Sequence, residues 1–84
     1  MTTTESIAVS GIMMGRRFGR LLAVREFGIH GQRWFAAAVH FDGDPAPVEL
    51  RLGDTEFDRS SAPGSRVAVS FTLGVATRLE PAAE

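Results

Sequence analysis

Arginine supplies every lysine-type charge in this chain: nine Arg and no Lys among 84 residues. A guanidinium forks onto phosphate or carboxylate and also stacks on aromatic rings, so the positions of these nine decide what chemistry is open to them. Three of them, Arg16, Arg17 and Arg20, fall in the segment Gly15-Arg16-Arg17-Phe18-Gly19-Arg20. Backbone loosened by glycine with three guanidiniums nearby is suited to phosphate oxygens. The competing expectation is a solvated turn whose arginines pair with the acids of 42–58. The segment has no P-loop pattern, since it lacks Gly-x-x-x-x-Gly-Lys-Ser/Thr.

A second group lies further along. Leu21, Arg25, Phe27, Gln32, Trp34 and His40 fall at alternating positions on either side of Gly28-Ile29-His30-Gly31. Aromatic and arginine side chains on one sheet face suit a protein partner, where such residues serve as anchors. They also suit single-stranded nucleic acid, with bases stacked on Phe27 and Trp34 and phosphates held by Arg16, Arg17, Arg20 and Arg25.

Catalytic chemistry has little to draw on. There is no cysteine, and the two histidines, His30 and His40, stand beside no nucleophile in sequence. No serine lies in a Gly-x-Ser-x-Gly context. Without cysteine there is no thiolate metal site and no disulfide scaffold. Asp42-Gly43-Asp44 resembles the start of a cation loop, but prolines at 45 and 47 break the further ligand spacing that such a loop needs. The expectation is a non-catalytic domain without metal or cofactor.

The net charge of −1 hides an asymmetry. Residues 1–41 carry a net charge of +3, and residues 42–84 carry −4. The basic half holds both arginine groups. The acidic half holds Asp42, Asp44, Glu49, Asp54, Glu56 and Asp58, which suit a basic partner or the arginines of a second copy.

Period-two alternation dominates the chain and predicts strands that position these groups. A first strand is expected over 7–14, with Ile7, Val9, Gly11 and Met13 on one side. A second is expected over Arg20–Phe27, a third over Gln32–Phe41, a fourth around Val48–Leu52 and a long fifth over Arg66–Glu80. The long connection 53–65 is expected to hold one helical turn capped by Asp54. Residues 1–4 and 81–84 read as loose ends.

If the second hairpin is symmetric about Gly28–Gly31, Glu26 faces Arg33, Arg25 faces Trp34, Val24 faces Phe35 and Phe18 faces Phe41. The core face then holds Phe18, Leu22, Val24, Phe35, Ala37, Val39 and Phe41. The other face holds Leu21, Ala23, Arg25, Phe27, Gln32, Trp34, Ala36, Ala38 and His40. That face is too apolar to be simply solvated. Connection 53–65 or the N-terminus folded over it, a protein partner, and a stacked nucleic acid are the three ways to account for it.

Five strands in one 84-residue domain point to a small all-β barrel, which also removes exposed strand edges. A first strand with a central glycine, a meander through strands 1–3 and a last strand opening Gly64-Ser65-Arg66-Val67-Ala68-Val69 is similar to the OB pattern at the level of fold, with an SH3-like barrel second. The expected role is a small binding or accessory module. A protein partner or second copy met through Leu21, Arg25, Phe27, Trp34 and His40 ranks first, and single-stranded nucleic acid is the alternative. No apolar run approaches the ~20 residues that span a bilayer, and the N-terminus lacks a signal-peptide pattern, so a cytoplasmic location is expected.

Overall fold

The computed structural model describes residues 14–83. They form one five-stranded antiparallel sheet: β1 (Met14–Ile29), β2 (Gln32–Phe41), β3 (Val48–Gly53), β4 (Arg66–Thr72) and β5 (Val75–Pro81). The strands lie in the order β3-β2-β1-β4-β5, and none of the described residues forms a helix. Among the described residues, therefore, no helix is long and apolar enough to cross a membrane.

Five strands were expected, but they are not the same five. The strand expected over 7–14 lies, apart from Met14, outside the described residues. The segment 15–19, expected as a turn, is the first part of the 16-residue β1. Its glycine at 19 fits there for a different reason from loop flexibility. Gly19 lies opposite Phe41, and a Cβ on it would come within 2.5 Å of the His40 carbonyl oxygen. Only glycine lets the two backbones approach this closely.

The single fifth strand expected over 66–80 is instead a hairpin, β4 and β5, turned at Leu73-Gly74. Thr72 pairs with Val75, and φ is +53° at Leu73 and +79° at Gly74. Positive φ at both central residues is the type I′ hairpin turn. Such turns usually carry Asn-Gly, so a leucine in the first position gives no sign of one in the sequence.

The β1–β2 hairpin is also tighter than expected. Ile29 pairs with Gln32 around His30 and Gly31, both at positive φ. The register is therefore shifted by two. Glu26 faces Phe35, Phe27 faces Trp34 and Arg25 faces Ala36. Glu26 still reaches Arg33 diagonally, at 2.9 Å.

A bulge follows at Leu22, where pairing steps from Ala23↔Ala38 to Leu21↔Val39. One extra residue exchanges the two faces of everything before it. Leu21, expected on the outer face, is 0% exposed in the core. Leu22 and Phe18, expected in the core, are instead exposed.

The core occupies one face of the sheet. Leu21, Phe35, Ala37, Val39, Phe41, Leu52, Val67, Val69, Phe71, Ala76 and Leu79 meet there, with Val24 and Leu50 packed at the margin. Connection 54–65 covers this face without forming the expected helical turn. Phe57 stacks on Phe35 with ring centroids 4.8 Å apart. The same segment forms a parallel bridge to β5: Asp58 N donates to Leu79 O (2.9 Å) and Leu79 N donates to Glu56 O (2.8 Å). The closed barrel expected from the sequence is not formed by strand pairing. β3 and β5 remain the edges of the sheet, and the segment around Phe57 joins them. The end expected to be loose at 81–83 is partly held. Pro81 pairs with Val67, and Ala82 N donates to Arg66 O.

Candidate functional site

β2 alternates without interruption, so its residues 34, 36, 38 and 40 share the face away from the core. Their partners on β1 are Phe27, Arg25, Ala23 and Arg20. On β3, Ala36 faces Arg51 and Trp34 faces Gly53. The outer face thus has a row Arg25–Ala36–Arg51 beside a row Phe27–Trp34–Gly53.

Alanine is the reason the arginines can meet an aromatic here. Ala36 is buried beneath them, and its short side chain lets Arg51 reach across β2. The Arg51 guanidinium carbon lies 5.7 Å from the Phe27 ring centroid, and that of Arg25 lies 5.4 Å from it. Arg25 was expected over Trp34; the two-residue shift in register places it with Phe27. Each such exposed contact is worth about 0.5–1 kcal/mol. Arg25 also lies 3.9 Å from Glu49, whereas Arg51 pairs with no carboxylate among the described residues. A depression of about 270 Å³ sits over Ala36, walled by Arg25, Phe27, Glu49 and Arg51. A wider one of about 560 Å³ lies beside Trp34 and Gly53, bounded by Gln32, Asp54 and Thr55.

The residues expected to bind are only partly brought together. Arg25 and Phe27 share the depression over Ala36, whereas Trp34 and Gln32 line the neighbouring one beside Gly53. Leu21 is in the core. His40 is exposed at the far end of β2, where Nε2 donates to the Asp44 carbonyl oxygen (2.8 Å). The arginines expected in one turn are divided by strand alternation. Arg16 and Arg20 point to the outer face, whereas Arg17 lies at the rim of the core, 4.6 Å from the Phe41 ring centroid and 3.0 Å from Asp44. Arg16 pairs with Glu80 (2.8 Å), and Arg20 donates to the Gly64 carbonyl (2.8 Å). The expected pairing of this segment with the acids of 42–58 therefore holds for Arg17.

Arg51 was not among the residues expected at the site. Its signal was present, since it alternates with Leu50 and Leu52, which face inward. Its place beside Phe27 depends on strand order, which alternation does not give. Connection 53–65, one of the covers considered for this face, lies over the other side of the sheet. Among the described residues no three His, Cys, Asp or Glu side chains converge as a metal site.

Asp42 is held below its ordinary 3.8 chiefly by its hydrogen bond from Arg66, with the charges of Arg66, Arg20 and Arg17 adding to this. Asp58 is lowered mainly by hydrogen bonds from the Ser60 hydroxyl and backbone N–H.

The chain matches no protein-family model, and no curated protein or solved structure resembles it significantly.

Proposed function

We propose that this domain binds single-stranded nucleic acid, without catalysis, on the outer face of β1–β3. The observation that carries the reading is Phe27 flanked by Arg25 and Arg51 beside Trp34, over a depression floored by Ala36. Bases stack on exposed aromatic rings or on guanidinium planes, while the same guanidiniums meet phosphates. The net charge of −1 leaves the Arg25–Arg51 side locally basic, and because Asp54 and Glu56 border the depression beside Trp34, phosphates are placed on the arginine side rather than there.

The fold reading that accompanies it is a partly open barrel of OB type. Its support is the order β3-β2-β1-β4-β5 with the two edges drawn together in parallel by Phe57 and Leu79. Folds of this type bind oligonucleotides on the strand 2–3 face.

The test is retention of a labelled oligothymidylate at 50 mM salt. Binding should weaken steeply as salt rises, and Trp34→Ala and Arg51→Ala should each reduce it. Absence of binding at 50 mM salt overturns the reading.

Self-association is the second reading, favoured by one observation at the end of β1 distant from Phe27. Met14, Thr72 and Val75 lie in one row, and Leu73 tops the adjoining turn. Leu73 is 71% exposed and Val75 62%. Light scattering over a hundredfold range of concentration tests it, and a constant monomer mass excludes it.

A further inference from the structure

The arrangement around Phe27 occurs twice on this face. Phe18 is flanked by Arg16, two residues earlier on β1, with the guanidinium carbon 5.4 Å from the ring centroid. It is flanked on the other side by Arg66 of β4, at 5.8 Å. The corresponding distances at Phe27 are 5.4 Å to Arg25, again two residues earlier, and 5.7 Å to Arg51 of β3. A buried alanine lies under each unit: Ala36 opposite Arg25, and Ala68 opposite Phe18.

Nine positions separate Phe18 from Phe27. In an unbroken strand an odd separation puts two side chains on opposite faces. The bulge at Leu22 removes that difference, so both units point outward from one strand. Between them lie Ala23 and Ala38, opposite one another, and the exposed Leu22 of the bulge. A row His40–Arg20–Arg66 crosses β2, β1 and β4 next to Phe18.

We propose that Arg16, Phe18, Arg20 and Arg66 form a second contact station for the same single strand of nucleic acid, which runs along β1 from Phe27 to Phe18. This rests on the reading of the Phe27 face as a nucleic-acid site. Nine residues of strand span at most about 30 Å, a path of several nucleotides, consistent with site sizes of about 4–16 nucleotides for such grooves. At present Arg16 is paired with Glu80 and Arg66 with Asp42. Both pairs are solvent-exposed at least in part; the single contact of Arg16 with Glu80 is weak enough for a phosphate to replace the carboxylate, whereas Arg66 grips Asp42 with two hydrogen bonds and meets the strand through its charge.

The experiment compares oligothymidylates of 4 and 16 nucleotides by fluorescence anisotropy at 50 mM salt. The longer strand is expected to bind at least about tenfold more tightly, beyond the statistical gain from overlapping sites. Phe18→Ala and Arg16→Ala should remove most of that gain while changing the 4-mer affinity by no more than about twofold, the statistical loss of one of two like stations. Phe18→Leu, which keeps the apolar contact without a ring, guards against a loss caused by misfolding and should behave like Phe18→Ala. Equal affinity for the two lengths overturns the second station while leaving the Phe27 site intact, and so does a length gain that survives Phe18→Leu. If neither oligonucleotide binds, both proposals fall together.

Discussion

Phe57 lies against Phe35 with the two rings nearly parallel, 22° apart, and this contact seals the core side of an otherwise open sheet. Phe57 comes from a connection without regular structure, yet it is buried as deeply as the strand residues around it. Its backbone neighbours Glu56 and Asp58 bond to Leu79, so one short segment both covers the core and links the sheet edges.

Phe57→Ala should therefore cost about 3–5 kcal/mol, the usual range for removing a buried aromatic ring. In a domain of this size that is a large share of total stability. Urea unfolding measures it. A loss below 1 kcal/mol would mean that Phe57 does not seal the core. Phe57→Leu should recover part of the loss.

Gly19→Ala should destabilise by about 1–3 kcal/mol, as overpacking against a rigid neighbour does. The obstacle is backbone at His40 and Phe41, which cannot rotate away as a side chain can. Hydrogen exchange should show the β1–β2 pairing weakened first around residues 19–21 and 39–41. An unchanged thermal midpoint would show that the strands can separate there at little cost.

Leu73→Asn is expected to stabilise the protein. Leucine at φ +53° occupies a conformation costing roughly 1–2 kcal/mol for ordinary residues, and asparagine tolerates it better. The gain should be about 0.5–1 kcal/mol in chemical unfolding. If light scattering shows a dimer, the same substitution should also shift it toward monomer.

Acidification should weaken the fold below about pH 4. Asp42 and Asp58 both have their carboxyls lowered in the folded chain. A group lowered on folding stabilises above its unfolded value and loses that contribution as pH falls through its folded value. Stability should thus be level with respect to these two groups near neutrality and decline below their ordinary 3.8. Asp42→Asn should flatten part of that decline, measured as the thermal midpoint between pH 2 and pH 6. An identical pH profile in the variant would show that the Arg66 contact adds nothing.

The alternation of apolar residues was enough to establish an all-β chain, the β2 and β3 strands, and the inward set Phe35, Ala37, Val39 and Phe41. Together with the expected hairpin it also placed Arg25, Phe27 and Trp34 on the opposite face, because the actual register differs from the expected one by two residues, and an even shift leaves every side chain on its face. The tertiary structure decided what alternation cannot encode. A bulge at Leu22 exchanges Leu21 with Leu22 and turns Phe18 outward, since one inserted residue reverses every side chain before it. Close backbone approach at Gly19 lets β1 run through a segment that reads as a turn. A left-handed leucine splits β4 from β5 without the usual turn residues. Arg51 meets Phe27, and Arg66 meets Phe18, only because strands distant in sequence lie side by side across the sheet.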